Sequence, residues 1–319
     1  MDKFFSCDWG TSNFRLRLVD GETMQVLASI ETADGIASTF TAWQRSGSRR
    51  EDFYGNILHQ ALEELAKTAG INKKNVPVII SGMASSSLGL IELPYTTLPI
   101  DQKGFSQVVV TIKELPNVYI IPGVRSANDV MRGEETQWMG LMQDQRFASA
   151  ESLLCILPGT HSKHIIVENG TLVHFHTYMT GEFFQVLSNH SVLKNSIGLE
   201  KSMQTQEQQV AFAEGVRASA RGSLLNQAFM VRTNQLLGRF SSDANGFFLS
   251  GLLIGSELQH LDAPEIVIAA KKDLATLYQI ALHTLSYNGR VHLVTGDEFD
   301  NAIIKGQFVI FNRNTSIDE

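Results

Sequence analysis

Residues 7–19 read CDWGTSNFRLRLV, which is an apolar strand, a Gly-Thr-Ser-Asn turn and a second apolar strand that runs to the turn Asp20-Gly21. The pattern returns at residues 157–167, LPGTHSKHIIV, where a Gly-Thr-His-Ser turn precedes a strand that ends at Asn169-Gly170. From the first glycine to the last is eleven residues in both copies, and the copies lie 149 residues apart. Two copies of one β-hairpin unit predict a duplicated two-domain architecture.

The backbone of these turns suits a phosphate group. A glycine at a tight turn lets the main chain approach a ligand and aim several N–H groups at one oxygen, and Thr or Ser adds short donors. Asp8 precedes the first turn, where a carboxylate could hold Mg²⁺ through water. Arg15 and Lys163 follow the two turns and could supply positive charge. A single Gly-Thr-Ser turn is usually structural, but the equal spacing of two copies favours the functional interpretation.

Composition limits the class of protein. The chain has 319 residues, of which 43% are hydrophobic and 18% charged, with a net charge of −7. This length predicts two domains, and the acidic balance argues against nucleic acid or an anionic membrane as a partner. The sequence has two cysteines far apart and no signal-peptide pattern, and its longest apolar run, Phe247–Ile254, is too short to span a bilayer. These features predict a cytoplasmic protein with reduced cysteines.

Strand-like and helix-like segments alternate, which predicts an α/β fold. The predicted strands cover residues 4–9, 14–19, 24–32, 77–80, 118–121, 152–157, 163–167, 172–178, 266–269 and 291–294. Helical spacing is found at 51–69, 130–143 and 274–286, and dominates from about 181 to 260. A composition shift near 123–130 predicts domains of residues 1–127 and 128–319, with the last helix able to pack back on the first domain.

Several stretches together resemble the 2-dehydro-3-deoxygalactonokinases, within the sugar-kinase, actin and heat-shock-chaperone superfamily. They are DWGTSNFRLRL, GMASSSLGLIELPY, IIPGV, DVMRGEETQWMG, LPGTHSKHI, MTGEFFQVLSNHSVL and FLSGLLIGSEL, spread over nearly the whole chain. The resemblance implies two domains of ribonuclease-H-like (actin-like ATPase) fold with mixed sheets, ATP in the cleft between them, and the sugar acid held mainly by the first domain. It also implies transfer of phosphate from ATP, with Mg²⁺, to the terminal hydroxyl of a 2-dehydro-3-deoxy sugar acid.

With this resemblance, roles can be assigned to particular residues. The residues predicted to contact the phosphates of ATP are Gly10, Thr11 and Ser12 on one side and Gly159, Thr160 and His161 on the other, with Arg15 and Lys163 beside them and Asp8 at the metal. Gly251 and Gly255 are expected beside the nucleotide, or alternatively at a close helix contact. The residues predicted to bind the acceptor are Ser85, Ser86, Ser87, Arg132, Gly181 and Glu182.

Asp129 is the leading candidate for the base that takes the proton of the acceptor hydroxyl. Glu134 and Glu135 are the alternatives, and Asp129 could instead cap the helix expected after it. The sequence departs from the family pattern at Ser85, Leu90, His176 and Ala270, so galactonate and gluconate stereochemistry of the acceptor both stay open. A sugar-acid sensor and a nucleotide or polyphosphate hydrolase of the same fold are further alternatives. The size is compatible with a homodimer.

Overall fold

The computed structural model describes residues 1–102, 110–112, 115–200 and 202–315. The chain divides into two compact units. Unit 1 comprises the described parts of Met1–Glu151, Glu168–His174 and Asp300–Glu319, and unit 2 those of Ser152–Val167 and Phe175–Phe299. The compact units therefore separate near residue 151, whereas the composition shift lies near residue 127. The assignment of functions to the two domains, and an ATP cleft between them, stay predictions.

Unit 1 is built on a six-stranded sheet with the order β3-β2-β1-β4-β8-β7. Its strands are β1 (Lys3–Trp9), β2 (Phe14–Asp20), β3 (Val26–Thr32), β4 (Val78–Gly82), β7 (Val110–Ile112) and β8 (Leu115–Ile120). Strands β1 and β2 form the antiparallel hairpin, and β4 pairs in parallel with both β1 and β8. Helices α1 (Ile36–Ser46) and α2 (Arg50–Ala69) follow β3.

The core of unit 1 lies between this sheet and α2. On β2 the burial alternates, with Phe14, Leu16 and Leu18 inside, because successive side chains of a strand point to opposite faces. On α2, Leu58, Leu62 and Leu65 recur at helical spacing and pack against the same cluster.

A second group of elements in unit 1 follows β4. It contains a three-stranded sheet in the order β10-β9-β5. The elements are β5 (Thr96–Thr97), β6 (Ile100–Asp101), β9 (Val124–Arg125), β10 (Val130–Met131), α3 (Glu134–Leu141) and α4 (Gln145–Ala148).

The last helix, α10 (Gly296–Thr315), contacts unit 1 through its residues from Asp300 onward. A Cβ on Gly140 of α3 would lie 1.7 Å from the Ala302 carbonyl oxygen, so the two helix backbones touch. On the other side, the Gln307 side-chain amide donates to the Cys7 carbonyl at 2.8 Å and to Ser81 Oγ at 2.9 Å. The helix therefore joins α3 to the ends of β1 and β4.

Unit 2 repeats the plan of unit 1. Its sheet is built from β11 (Ser152–Leu157), β12 (Ser162–Glu168), β13 (Thr171–Tyr178), β14 (Glu265–Ala269) and β15 (Arg290–Val294) in the order β13-β12-β11-β14-β15. Residues 168–174 of the β12–β13 hairpin are grouped with unit 1, where β13 pairs with β6 as the sixth strand of this sheet. The first sheet has the matching order β3-β2-β1-β4-β8, and in each the hairpin's first strand pairs in parallel with the next strand of the sheet. The predicted duplication and mixed α/β fold are confirmed.

The helices of unit 2 are α5 (Thr180–His190), α6 (Gln206–Ser219), α7 (Leu224–Leu236), α8 (Ser242–Glu257) and α9 (Lys272–Thr284). The continuous helical periodicity from 181 to 260 is therefore divided into four helices. The breaks have local causes. Thr205 starts α6 with a capping box to Gln208, Gly238 has a φ of 64° just after α7, and Ser241 caps α8.

The helix predicted at 130–143 is shorter in the structure. Val130 and Met131 form a strand, and Gly133, with a φ of 102°, precedes a helix that begins at Glu134. Asp129 therefore does not cap this helix. Helix α1 is absent from the predicted elements, and it begins after Gly35 with no side-chain cap.

Candidate functional site

The first phosphate turn is held by the start of α1. The Gly10 amide donates to the Asn13 carbonyl at 2.9 Å and closes the turn, while the Ile36 amide donates to the Gly10 carbonyl at 2.9 Å. A Cβ at Gly35 would lie 2.3 Å from the Ser12 backbone, so the helix reaches the turn only because residue 35 is glycine. Thr11 and Ser12 are exposed and present their hydroxyls to solvent.

Asp8 lies at the base of this turn. Its Oδ2 is 3.4 Å from Arg15 Nη1, and Arg15 Nε donates to Glu31 at 2.9 Å. Burial, opposed by Arg15 and Arg17 and assisted by the charge of Glu134, raises the pKa of Asp8. The carboxylate is thus partly desolvated, while a fifth of its side chain stays exposed.

Two glycine loops meet beside Asp8. Gly82 ends β4 with a φ of 91°, and Gly133 precedes α3 with a φ of 102°. A Cβ on Gly133 would lie 3.3 Å from Gly82 Cα, and one on Gly82 would lie 2.9 Å from the Trp9 carbonyl oxygen. Both positions need a left-handed backbone that favours glycine. The RGEE run and the loop after β4 are thereby brought together at the end of β1.

Arg132 is directed into the loop of serines. Its guanidinium donates to Ser85 Oγ at 2.8 Å and to the Leu93 carbonyl at 3.1 Å, and it stacks 4.0 Å from the centre of the Tyr95 ring. Ser85 and Ser86 are buried, whereas Ser87 is exposed. The predicted anion-binding residue and the predicted acceptor loop are therefore in direct contact.

Arg50 and Tyr54 hold the same loop from α2, and neither is among the predicted site residues. Arg50 donates to the carbonyls of Ser86, Ser87 and Gly89 at 3.2, 2.6 and 2.5 Å. Tyr54 donates to the Leu88 carbonyl at 2.6 Å. Four consecutive carbonyl oxygens are thus fixed by two side chains that lie more than 30 residues away in the sequence.

The candidate base residues have different environments. Asp129 lies in the turn between β9 and β10, where its amide donates to Ser126 Oγ at 3.0 Å and its Oδ1 accepts from the Val130 amide at 2.7 Å. Glu134 accepts from the Arg132 amide at 3.1 Å. Glu135 is 1% exposed and accepts from the Gly133 amide at 2.7 Å and from Thr136 Oγ1 at 2.9 Å. Burial and the neighbouring charge of Glu134 raise the pKa of Glu135 to about 8.

The second phosphate turn is held by the start of α5. The Glu182 amide donates to the Thr160 carbonyl at 3.0 Å, and a Cβ on Gly181 would lie 2.5 Å from the Gly159 carbonyl oxygen. His161 Nε2 lies 2.6 Å from Glu182 Oε2. A Cβ on Gly159 would meet no atom within 4 Å, so the glycine faces open space where a ligand could approach the backbone.

Lys163 is directed back into the hairpin. The side chain is 4% exposed, and its Nζ donates to the His161 carbonyl at 3.1 Å. The ammonium group therefore lies next to the turn and holds the backbone of His161.

A cavity of about 460 Å³ opens beside the second turn, within unit 2. This is the size of a small-molecule site. The lining residues are Gly159, Thr160, Thr180, Gly181, Phe184, Gln185, Gly198, Leu199, Glu200, Gly246, Phe247, Ser250, Leu253, Ile254, Leu274, Leu277 and Tyr278. Most of the lining is apolar, and the polar part is the turn together with the N-terminus of α5, where helix amides favour an anion.

Gly251 and Gly255 of α8 are not among the described residues that line this cavity. A Cβ on Gly251 would lie 2.1 Å from the Phe212 carbonyl oxygen, and one on Gly255 would lie 3.0 Å from Val216 Cα. Both glycines allow α8 to pack closely on α6. Ala270 is buried in the core of unit 2, and its amide donates to the Val294 carbonyl at 3.1 Å.

Two features are absent from the part of the chain that the structure describes, a membrane-spanning helix and a cluster of metal-binding side chains. No helix there is both long and apolar enough to cross a membrane. Among the same described residues, no group of three or more His, Cys, Asp or Glu side chains is placed so that it could hold a metal ion. A magnesium ion held by Asp8 alone would take its other ligands from water and phosphate, which is the usual coordination of Mg²⁺ at phosphoryl-transfer sites.

Comparison with known proteins identifies the family. The model of the 2-keto-3-deoxy-galactonokinase family matches residues 8–307. The 2-dehydro-3-deoxygalactonokinase of Escherichia coli K12 is 29% identical over 305 residues, which cover 92% of this chain and 94% of that protein. A Rhizobium meliloti protein named probable 2-dehydro-3-deoxygalactonokinase is 31% identical over 308 residues, covering 92% and 93% of the two chains.

A solved structure agrees with these matches. The crystal structure of a Sinorhizobium meliloti protein, assigned as a 2-dehydro-3-deoxygalactonokinase, superposes with a TM-score of 0.78 at 27% identity, over 97% of this chain and 98% of that one. The similarity in sequence and in fold therefore extends over nearly the full length of this chain. The chain belongs to the 2-keto-3-deoxy-galactonokinase family.

Proposed function

We propose that the protein transfers the γ-phosphate of ATP to the terminal hydroxyl of 2-dehydro-3-deoxy-D-galactonate, giving the 6-phosphate and ADP. The observation that carries the proposal is the pair of matching glycine turns. Each turn follows the first strand of its β-hairpin, β1 or β11, and each is held by the N-terminus of a helix, α1 or α5. Family membership supports the acceptor, because the related proteins are named for this activity.

The nucleotide binds in unit 2. The apolar walls of the 460 Å³ cavity accommodate the base and ribose, and the phosphates extend toward Gly159 and Thr160. The open space beside Gly159 admits a phosphate oxygen, and the amides at the start of α5 add a favourable field. His161 and Lys163 supply donors and charge at this turn. Gly251 and Gly255 contribute indirectly, by bringing α8 onto α6.

The terminal phosphates also require the first turn, with Thr11 and Ser12 as donors and Arg15 as a cation, while the Gly10 amide closes the turn and the absence of a side chain there lets the phosphate approach. Phosphoryl transfer depends mostly on positioning and on neutralisation of charge. When bound with ATP, Mg²⁺ supplies this neutralisation at the phosphate oxygens, and Asp8 is the residue that would hold it.

The sugar acid binds in unit 1, at the loops that meet beside Asp8. Ser87 and the backbone of Ser85 and Ser86 contact its hydroxyls, and Arg132 orients this loop while its positive charge favours the acceptor carboxylate. Gly181 and Glu182 remain proposed acceptor contacts. The oxygen of the terminal hydroxyl forms a bond to the γ-phosphorus of ATP while the bond between the γ-phosphorus and the ADP oxygen breaks. Asp129 accepts the proton that this hydroxyl loses. Glu134 is the alternative base.

One assay tests the activity and its alternatives. Purified protein is incubated with ATP, Mg²⁺ and either 2-dehydro-3-deoxy-D-galactonate or its gluconate epimer, and ADP is measured. Release of ADP only with the galactonate acid supports the proposal, and equal release with both acids would remove its stereochemical part. Release without any sugar acid would indicate a hydrolase. Thermal stabilisation by the sugar acid without turnover would indicate a sensor.

The compartment and the oligomeric state of the protein can also be proposed. We expect a reduced, cytoplasmic compartment, since both cysteines are buried and unpaired. A homodimer is expected for an enzyme of this size and would be detected by sedimentation.

A further inference from the structure

A buried carboxylate, Glu257 at the end of α8, lies behind the second phosphate turn. Its side chain is 1% exposed, and four side chains contact its two oxygens. Ser162 Oγ lies at 2.7 Å, His164 Nε2 at 2.9 Å and Tyr278 OH at 2.8 Å, with Thr180 Oγ1 also in hydrogen-bond contact. A carboxylate has about four lone-pair sites, so its accepting capacity is filled.

Packing alone does not explain this arrangement. Burying a carboxyl group away from water costs free energy that its hydrogen bonds must offset, and well-packed apolar side chains of similar volume often give equal or greater stability. A fully satisfied polar cluster differs from an apolar one because its hydrogen bonds are directional and fix the relative positions of their donors. The arrangement therefore suggests a role in precise placement.

The donors come from the elements that form the cavity. Ser162 starts β12 directly after the phosphate turn, and Thr180 is the first residue of α5, next to the Gly181 that touches Gly159. Tyr278 lies on α9, and both Thr180 and Tyr278 line the cavity. One carboxylate on α8 thus connects the turn, the start of α5 and the wall formed by α9.

We propose that Glu257 is a positioning residue for the nucleotide: it sets the distance between the phosphate turn and the cavity wall without touching ATP itself. The inference rests on the proposed function, since it takes the cavity in unit 2 as the ATP site. It predicts that damage to the network affects ATP more than the acceptor, because the proposed acceptor contacts Ser85, Ser86, Ser87 and Arg132 lie in unit 1. Only Gly181 and Glu182, among the proposed acceptor contacts, lie next to the network, beside Thr180.

The test compares Glu257→Gln with a matched control. Glu265 also contacts a histidine, with His292 Nε2 at 2.6 Å, but it is not among the described residues that line the cavity. For wild type, Glu257→Gln and Glu265→Gln, ATP affinity is measured by calorimetry, both KM values by ADP release, and the urea midpoint by circular dichroism. We expect Glu257→Gln to raise the Kd and KM for ATP at least about tenfold, with the acceptor KM within about twofold. Glu265→Gln should leave all three constants within about twofold.

Two further variants keep the test decisive if Glu257→Gln fails to fold. Thr180→Val and Tyr278→Phe each remove a single donor and retain the carboxylate. Each should raise the Kd for ATP about threefold or more. In the double variant Tyr278→Phe/Glu257→Gln, the fold-increase in this Kd should be smaller than the product of the two single fold-increases.

The possible failures are distinguishable. If wild type does not bind ATP, the proposed function is wrong and this inference falls with it. If wild type binds ATP while folded Glu257→Gln, or both single-donor variants, bind it equally well, only the positioning role is refuted. A purely structural role would lower the urea midpoint and leave the ratio of the two KM values unchanged, which would also refute the proposal.

Discussion

Glu135 should make unit 1 less stable as pH rises. Its carboxyl is 1% exposed, and its pKa is raised from 4.5 to about 8, first by burial and then by the charge of Glu134. Between these two values the folded state holds a proton that the unfolded state has released. Stability therefore decreases with rising pH from about 4.5 and levels off above about 8.

The size of the effect follows from the two pKa values. A difference of one unit corresponds to about 1.4 kcal/mol, and linkage then gives a loss of roughly 2–3 kcal/mol between about pH 5 and pH 7.5. Glu135→Gln replaces the neutral acid by a neutral amide of the same shape, so this contribution should vanish. The difference in unfolding free energy between the variant and wild type should therefore grow by that amount over the same range.

The tryptophans offer a local probe for this measurement. The chain has three, at positions 9, 43 and 138, and all lie in unit 1. Urea unfolding followed by tryptophan fluorescence at several pH values therefore reports on the unit that contains Glu135. The exposed Glu63, replaced by Gln, serves as a control. Parallel pH profiles for wild type and Glu135→Gln would refute the assignment of a proton to this side chain.

Three further predictions address catalysis, loop position and packing. Asp129→Asn should lower turnover by about 100-fold or more with ATP affinity nearly unchanged, and near-normal kcat would exclude Asp129 as the base. Arg50→Gln should raise the acceptor KM about fivefold and leave the KM for ATP within about twofold, because three carbonyls of the acceptor loop lose their donor; a shift in both constants would contradict a local role. Gly140→Ala should destabilise unit 1 by about 1–3 kcal/mol in urea titrations, whereas Gly55→Ala, whose Cβ would meet only Leu115 Cδ2 at 3.4 Å, should be neutral or slightly stabilising; equal effects would count against the close contact of α3 with α10.

The features that sequence predicted well are those carried by local patterns. The two glycine turns were visible because a hairpin is a short unit with its own turn residues, and the matching strand order confirms the duplication that their spacing predicted. The strands around Ile80 and Val267 were equally clear, since each is a short apolar run. The role of each site residue stays a prediction that the assays above address.

The features that sequence missed depend on contacts between distant residues. Arg50 starts a helix and looks like any solvent-exposed arginine, yet it fixes a loop almost 40 residues away. Glu257 ends an apolar helix, where a carboxylate normally faces water, and nothing local indicates that donors from three other elements surround it. Gly133 ends the preceding extended segment by a left-handed backbone angle, which the apolar periodicity around it does not reveal.

The position of α10 has a consequence for the order in which the chain can fold. Gln307 bonds to the Cys7 carbonyl and to Ser81, so the strands that lead to Asp8 and Gly82 reach their final contacts only when residue 307 is available. During synthesis, residues 152–299 leave the ribosome before residue 307 does. They contain all of unit 2 together with the segment Glu168–His174 of unit 1, so unit 2 can form while unit 1 is still incomplete. A nascent chain that stops before residue 300 should therefore carry a folded unit 2 and an unfinished unit 1, in which the Cys7 carbonyl and Ser81 still lack their contacts with Gln307.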